Sequence, residues 1–385
     1  MDNLENQYLQ LRQEILDNYF SDLEELEKAE CRCNRVTVKL PVRVNISGTW
    51  TDAMPYCTQC GGQVVNMAVL VEGEMPVEVR AEKTNSGCIE LISEGKRCVI
   101  DQKLLSGSDS IPPDFMLHFS ALRVLGFTDK TELCGIKLET SVSSIDRNSG
   151  LGVSSILLGG CIIALSRLLG ISLGDKNFLN MIFVAEQVMG TGGGWQDQAG
   201  GLTPSVKINT SLPGTEQYLN IQSIKLSPEF SELLNRRLVI IPTGIRHTGK
   251  SIVTDVMKRY ISGNTAPFEE IRELNSDVVS AFTNGDVEEL SDCLNRHNEI
   301  LKKLSPFISN DKTEYIAEFC RKYVDGISIL GAGGGGYFFA VLSENTDIAC
   351  FRKDFSEKFA DIESEIKHIS VCRKIAAVGN DIQTV

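Results

Sequence analysis

At 385 residues, with 42% hydrophobic and 23% charged side chains, the chain is long enough for about two domains, each with its own core. Its net charge of −13 argues against non-specific binding to nucleic acid or an anionic membrane, which need basic surfaces, but not against a phosphate site, which needs only local donors. No basic, apolar leader opens the sequence and the longest apolar runs are too short for a bilayer; the expectation is a cytoplasmic protein whose 12 cysteines are buried or idle thiols.

Leu4, Leu9, Leu11, Ile15, Leu16, Tyr19, Phe20, Leu23 and Leu26 recur at helical spacing among acids, which predicts an amphipathic helix over residues 1–34. Cys31-x-Cys33 and Cys57-x-x-Cys60 have spacings that zinc permits but lack further paired ligands. Val36, Val38, Leu40, Val42 and Val44 alternate as a strand does, leading into residues 43–52, and Gly61-Gly62 opens a strand from Val64 to Val71. Short strands at 77–80 and 88–92, a polar loop over 103–113, a helix over 117–125 and an alternating strand over 135–142 follow. Ser149-Gly-Leu-Gly-Val-Ser-Ser155 then turns the chain into Ile156–Leu169, which is apolar all round and so predicts a core helix. Within it Gly159-Gly160 costs about 1 kcal/mol per glycine against alanine, which implies close packing there.

A second helix, 176–189, ends in the glycine-rich loop 190–201, and near 205 a second half begins. It reads as a strand at 238–241, helices at 251–261, 268–282, 287–304 and 312–323, and a strand at 327–330. A second glycine run, Gly331–Gly336, leads to a strand at 337–342, a helix at 349–359 and a strand at 368–372.

Residues 149–155 suit a phosphate: glycines admit close backbone approach and positive φ, and the free N–H groups of a helix start attract anions. Phosphoryl transfer also needs a divalent metal and a group that orients or deprotonates the acceptor. Ser155 and Glu186 offer hard oxygens suited to Mg²⁺. Asp197, in the glycine-rich loop, is a carboxylate able to approach a sugar hydroxyl, and Arg43 is positioned in the sequence to favour its charged form if the two meet.

Together, Pro41–Asp52 with Gly61-Gly62, Ser149–Ser155 and Gly331–Gly336 resemble the GHMP family of small-molecule kinases over nearly the whole chain. Leu40-Pro-Val-Arg-Val, Ser-Gly-x-Trp-Thr-Asp52 and Gly192-Gly-Gly-Trp-Gln-Asp-Gln198 look most like the kinase domain of the L-fucokinases. The resemblance implies an α+β fold: an ATP-binding domain over 35–205, with a left-handed βαβ crossover against the usual right-handed rule, and a ferredoxin-like domain over 206–385. It implies ATP held by Ser149, Gly150, Leu151, Gly152, Val153, Ser154 and Ser155, and Mg²⁺ held by Ser155 and Glu186. Asp197 would be the catalytic carboxylate assisted by Arg43. The sugar would meet Trp50, Asp52, Gly194, Trp195 and Gly334, with the 331–336 run closing over the phosphate loop. The implied reaction is phosphorylation of the anomeric hydroxyl of L-fucose or a related sugar. Thr49 and Ala53-Met54-Pro55 depart from the fucokinase pattern beside the sugar site, so the sugar is less defined than the reaction. The nucleotidyltransferase half of many fucokinases is not in this sequence, which implies a stand-alone kinase or one domain of a divided system; the oligomeric state is left open.

Three other readings compete. A heptose 7-phosphate kinase shares Gln-Asp-Gln. Gly244-Ile-Arg-His-Thr-Gly-Lys-Ser251 fits the P-loop pattern between a strand and a helix, but no later strand ends in a metal-binding Asp; Lys250 then stays a candidate phosphate or substrate contact. A non-catalytic sugar sensor would not need Asp197, Glu186 and Ser155 together.

Overall fold

The computed structural model describes residues 2–21, 33–105, 110–131, 134–147, 149–173, 178–246 and 249–375. Leu23, Leu26, Cys31, Lys176 and Thr248 lie outside these, as do the side chains of Leu4 and Lys250. Helix α1 (Asp2–Ser21) lies on the body of the protein, with Ile15 buried in the core.

The alternation expected to run as one strand from Val36 to Val44 is two strands, β1 (Arg35–Leu40) and β2 (Val42–Ser47), in different sheets. Pro41 lies at the switch, where its missing N–H cannot serve a ladder. After the short helix α2 (Tyr56–Cys60) come β3 (Gln63–Val71), β4 (Val77–Lys83), β5 (Ile89–Ser93) and β6 (Lys96–Ile100). Then follow α3 (Gln102–Leu105), α4 (Met116–Val124) and β7 (Ile136–Val142). The first sheet has the order β1-β4-β7-β5-β6; β5 and β7 pair in parallel, so the connection between them through α4 is a crossover.

The core helix is α5 (Val153–Leu169), followed by α6 (Phe178–Met189) and α7 (Gln196–Leu202). Its two interior glycines have a packing reason. A Cβ on Gly160 would stand 2.8 Å from Val79 Cγ2, and one on Gly159 would stand 2.4 Å from Leu202 Cδ1 and 3.0 Å from Ile182 Cδ1, so α5 is pressed between the first sheet and helices α6 and α7.

Strands β8 (Val206–Ser211) and β9 (Leu219–Ser223) and helix α8 (Pro228–Arg237) come next. Ser227 caps α8 by accepting from the Phe230 N–H. The last part runs β10 (Leu238–Pro242), α9 (Gly249–Ile261), α10 (Ala266–Asn284), α11 (Val287–Leu304), α12 (Asp311–Cys320), β11 (Val324–Ile329), β12 (Tyr337–Leu342), α13 (Ile348–Lys358) and β13 (Lys367–Val371). Its strands lie in the order β11-β12-β10-β13 with antiparallel neighbours, the 2-3-1-4 order of a ferredoxin-like unit. The sheet does not stop there: β13 pairs with β3 at Val69–Val71, and β3 pairs with β8 and with β2. The expected boundary near 205 therefore falls just before a strand, β8, that belongs to the sheet of β3. The chain is an α+β protein. No described helix is long and apolar enough to cross a membrane.

Candidate active site

The turn 149–152 and the loop 331–336 meet backbone to backbone. Gly150 and Gly152 have φ of 75° and 76°, and Gly331 has 65°, conformations that side-chain-bearing residues rarely adopt. A Cβ on Gly150 would lie 2.9 Å from the Leu330 carbonyl, and one on Gly331 2.9 Å from Gly150 Cα. The Ser149 carbonyl accepts from the Tyr337 N–H, which fixes the turn to the start of β12. Gly152 ends the turn in the left-handed conformation, and α5 begins at Val153, so its first-turn N–H groups converge there. Leu151, Val153 and Ser155 are buried, and Ser154 is exposed.

Arg43, on β2, is 1% exposed. Its Nε and Nη2 both donate to Asp197 Oδ1, at 2.8 and 2.5 Å, and its Nη1 donates to the Gly150 carbonyl at 2.6 Å. Asp197, in the first turn of α7, is a quarter exposed, so the pair has a buried cation and an anion that reaches the surface of the site. Strong alternation would put Arg43 on one face of a half-buried strand, yet all six residues of β2 are buried because α7 covers that face.

Close by, Ser155 Oγ donates to Glu186 Oε1 at 2.7 Å, and the Thr191 hydroxyl donates to Glu186 Oε2. Glu186 is buried, which pushes its carboxyl above the ordinary range; the nearby Asp197 charge adds to this, while the two hydroxyls oppose it. No group of three or more His, Cys, Asp or Glu suited to a metal occurs among the described residues. Cys57 is buried and Cys60 exposed.

Asp52 is fully buried, and its Oδ2 accepts from the Gln196 N–H at 3.0 Å, while its Oδ1 is a buried oxygen with no hydrogen-bond partner. Burial raises its pKa to about 7; the charge of Asp197 also raises it, against the Gln196 N–H and Arg43. Trp50, with φ of 81°, likewise buries an indole N–H without a partner. Gly194 is packed against this group: a Cβ there would overlap the Asp52 carboxylate. Trp195, the residue before α7, is buried and donates to Gln217 Oε1 at 3.0 Å.

Arg43, Asp197, the 149–155 turn, Ser155–Glu186 and Asp52 thus form one connected group. Gly334 sits in the facing loop, where its N–H donates to the Ile308 carbonyl and its carbonyl accepts from Asn310. The P-loop-like segment follows β10, whose neighbours β12 and β13 are both antiparallel, not the parallel sheet such a loop serves. Thr191, Gln196, Asn45 and Asn66 are not among the site residues expected from sequence. Asn45 Nδ2 donates to Gln196 Oε1 and Asn66 Nδ2 to the Gln196 carbonyl, so both asparagines hold the start of α7. Asn45 carried a signal: it lies two residues beyond Arg43 and so shares its face of β2.

Residues 118–203 match the GHMP kinases N terminal domain. The chain is similar to the bifunctional fucokinase/GDP-fucose pyrophosphorylase of Arabidopsis thaliana, 32% identical over 351 residues that take in 88% of this chain and 32% of that protein. It is similar to the L-fucokinase/L-fucose-1-P guanylyltransferase of Bacteroides fragilis, 27% identical over 82% of this chain and 35% of that protein. The chain spans about a third of the length of these two relatives. A D-glycero-alpha-D-manno-heptose 7-phosphate kinase of Campylobacter jejuni is 25% identical over 79% of this chain and 89% of its own. Lactococcus lactis galactokinase, solved with galactose, shares the fold with a TM-score of 0.66 at 16% identity, over 94% of this chain and 97% of that one.

Proposed function

The chain has the GHMP kinase fold and carries the N-terminal domain of that family over residues 118–203, and on that premise we propose that it is an ATP-dependent sugar kinase acting on the anomeric hydroxyl of L-fucose or a related sugar. The observation that carries this reading is the buried Arg43, which holds Asp197 with two donors and the glycine turn at Gly150 with a third. One side chain fixes the acceptor carboxylate relative to the phosphate cradle, and phosphoryl transfer depends on such positioning.

In this mechanism the first-turn N–H groups of α5 and the backbone of 149–152 bind the phosphates, and the 331–336 loop shields them. Asp197 takes or orients the proton of the attacking hydroxyl. Asp52 and Trp50 supply an unpartnered acceptor and donor for the other hydroxyls of the sugar. Ser155 and Glu186 fit Mg²⁺, since a buried carboxylate with no ion-pair partner among the described residues and an adjacent hydroxyl are hard oxygen ligands, with phosphates and water left to complete the shell. Bound there, the ion would neutralise charge on the phosphates.

The fucokinase names of two relatives, at 32% and 27% identity, support the sugar assignment. The heptose 7-phosphate kinase, matched over 89% of its length, is the second reading. A panel of free and phosphorylated sugars with ATP and Mg²⁺, read by ADP release and product mass, tests both. The expected product is a sugar 1-phosphate from a free sugar; turnover confined to phosphorylated sugars would replace it with the heptose reading. Asp197→Asn is expected to lower kcat by about 10² to 10⁴ while sugar and ATP still bind, and unchanged turnover would sink the mechanism. Sugar binding with no turnover of anything in the panel would leave a sensor.

A further inference from the structure

Lys207 is a fully buried cation that the mechanism above does not use. It stands on β8, and its Nζ donates to three backbone carbonyls: Gly200 at 2.9 Å, Thr203 at 2.7 Å and Ser205 at 3.2 Å. An ammonium has three donors, so all of its capacity goes to this one turn of chain. Among the described residues no carboxylate contributes to its charge environment, and burial lowers its pKa to about 7. Keeping a lone ammonium in such a place is costly unless its hydrogen bonds do something an apolar residue could not.

The carbonyls it grips identify the task. The last carbonyls of a helix have no intrahelical partner, and a cation there also complements the helix dipole. Helix α7 ends at Leu202. The Thr203 hydroxyl satisfies the carbonyl of Ala199, and Lys207 satisfies those of Gly200, Thr203 and Ser205. Gly200 is itself pressed on Arg43: a Cβ there would lie 2.7 Å from Arg43 Cβ. The opposite end of α7 bears Asp197, held by that same arginine. Ser205 is anchored from the other side, its N–H donating to the Cys372 carbonyl and its own carbonyl accepting from the Ala68 N–H.

We infer that Lys207 is a positioning residue: its ammonium clamps the C-terminal end of α7 to the β3–β8–β13 junction and so sets where Asp197 stands relative to Arg43 and the phosphate cradle. This rests on the kinase reading for its catalytic consequence but not for its structural one. It acts through α7 and touches no substrate.

Lys207→Met keeps the apolar stem out to the ε position and removes the donors. In steady-state assays its kcat should fall by about 10²-fold, the scale of a misplacement of about 1 Å, with the KM for ATP unchanged because the α5 turn is not anchored to Lys207. On an Asp197→Asn background the same change should cost less than about twofold, since no carboxylate remains to misplace. Hydrogen exchange should show faster exchange over residues 196–205 and unchanged exchange in α5. A kcat within about twofold of wild type, or equal losses on both backgrounds, overturns the assignment. If Lys207→Met does not accumulate folded, Lys207→Gln, which loses the charge and reaches one atom less far, is read by the same three measurements. Should the wild type turn over no sugar at all, the kinase reading fails while the exchange measurement still decides the clamp, and unchanged exchange over 196–205 rejects it.

Discussion

Asp52 illustrates how a single buried group can report its own state. In the unfolded chain it titrates near 3.8; in the fold it is raised to about 7, chiefly by desolvation. Between those values the native state holds a proton that the unfolded state has released, so the protein is favoured below about pH 4 and loses that stability as pH rises through about 7. The slope is at most about 1.4 kcal/mol per pH unit. Asp52→Asn removes the titration, so from pH 4.5 to 7.5 urea denaturation should show the variant gaining about 2 to 4 kcal/mol on wild type. Parallel stability curves would mean that Asp52 is ionised throughout. Residue types with unambiguous chemistry were the legible ones: Arg43, Asp197, Ser155 and Glu186 were singled out from sequence, and the fold gathers them. Thr191, Gln196 and Lys207 were not, because their work is hydrogen bonding to groups that only the folded backbone brings near.

At the level of elements, strong periodicity was readable and close packing was not. The apolar run of α5, the long helices α10 and α11, and strands β3, β10 and β12 follow their patterns to within a few residues. Helix α7 was hidden inside what read as a glycine loop. Gly200 and Gly201 disfavour a helix, but a Cβ on either would strike Arg43 or Ile156, so burial against neighbours outweighs propensity. Strands β8 and β9 lacked a strong alternation; β8 owes its place to β3, and β9 to β8. The contact between the two glycine segments yields a test. Gly150→Ala forces a side chain into positive φ, which costs about 1 to 2 kcal/mol, and sets its Cβ 2.9 Å from the Leu330 carbonyl. Its thermal midpoint should fall and its KM for ATP rise, whereas Gly73→Ala, with φ of 83° and nothing within 4 Å of the added Cβ, should lose stability alone.

Across the whole molecule, the two halves expected from sequence are joined by hydrogen bonds rather than merely apposed. β13, the last of the described strands, pairs with both β10 and β3, and α8 packs on it. Neither half can open its sheet without exposing unpaired strand edges, so calorimetry should give one endotherm whose calorimetric and van't Hoff enthalpies agree; two resolved peaks would show the halves to unfold independently. A different property follows from where the aromatic residues fall. The 385 residues include only two tryptophans, Trp50 and Trp195, one two positions from Asp52 and the other two positions from Asp197, and both are buried. All of the protein's indole emission therefore originates at the candidate sugar site, and the unlabelled protein carries its own optical probe for any ligand that enters there.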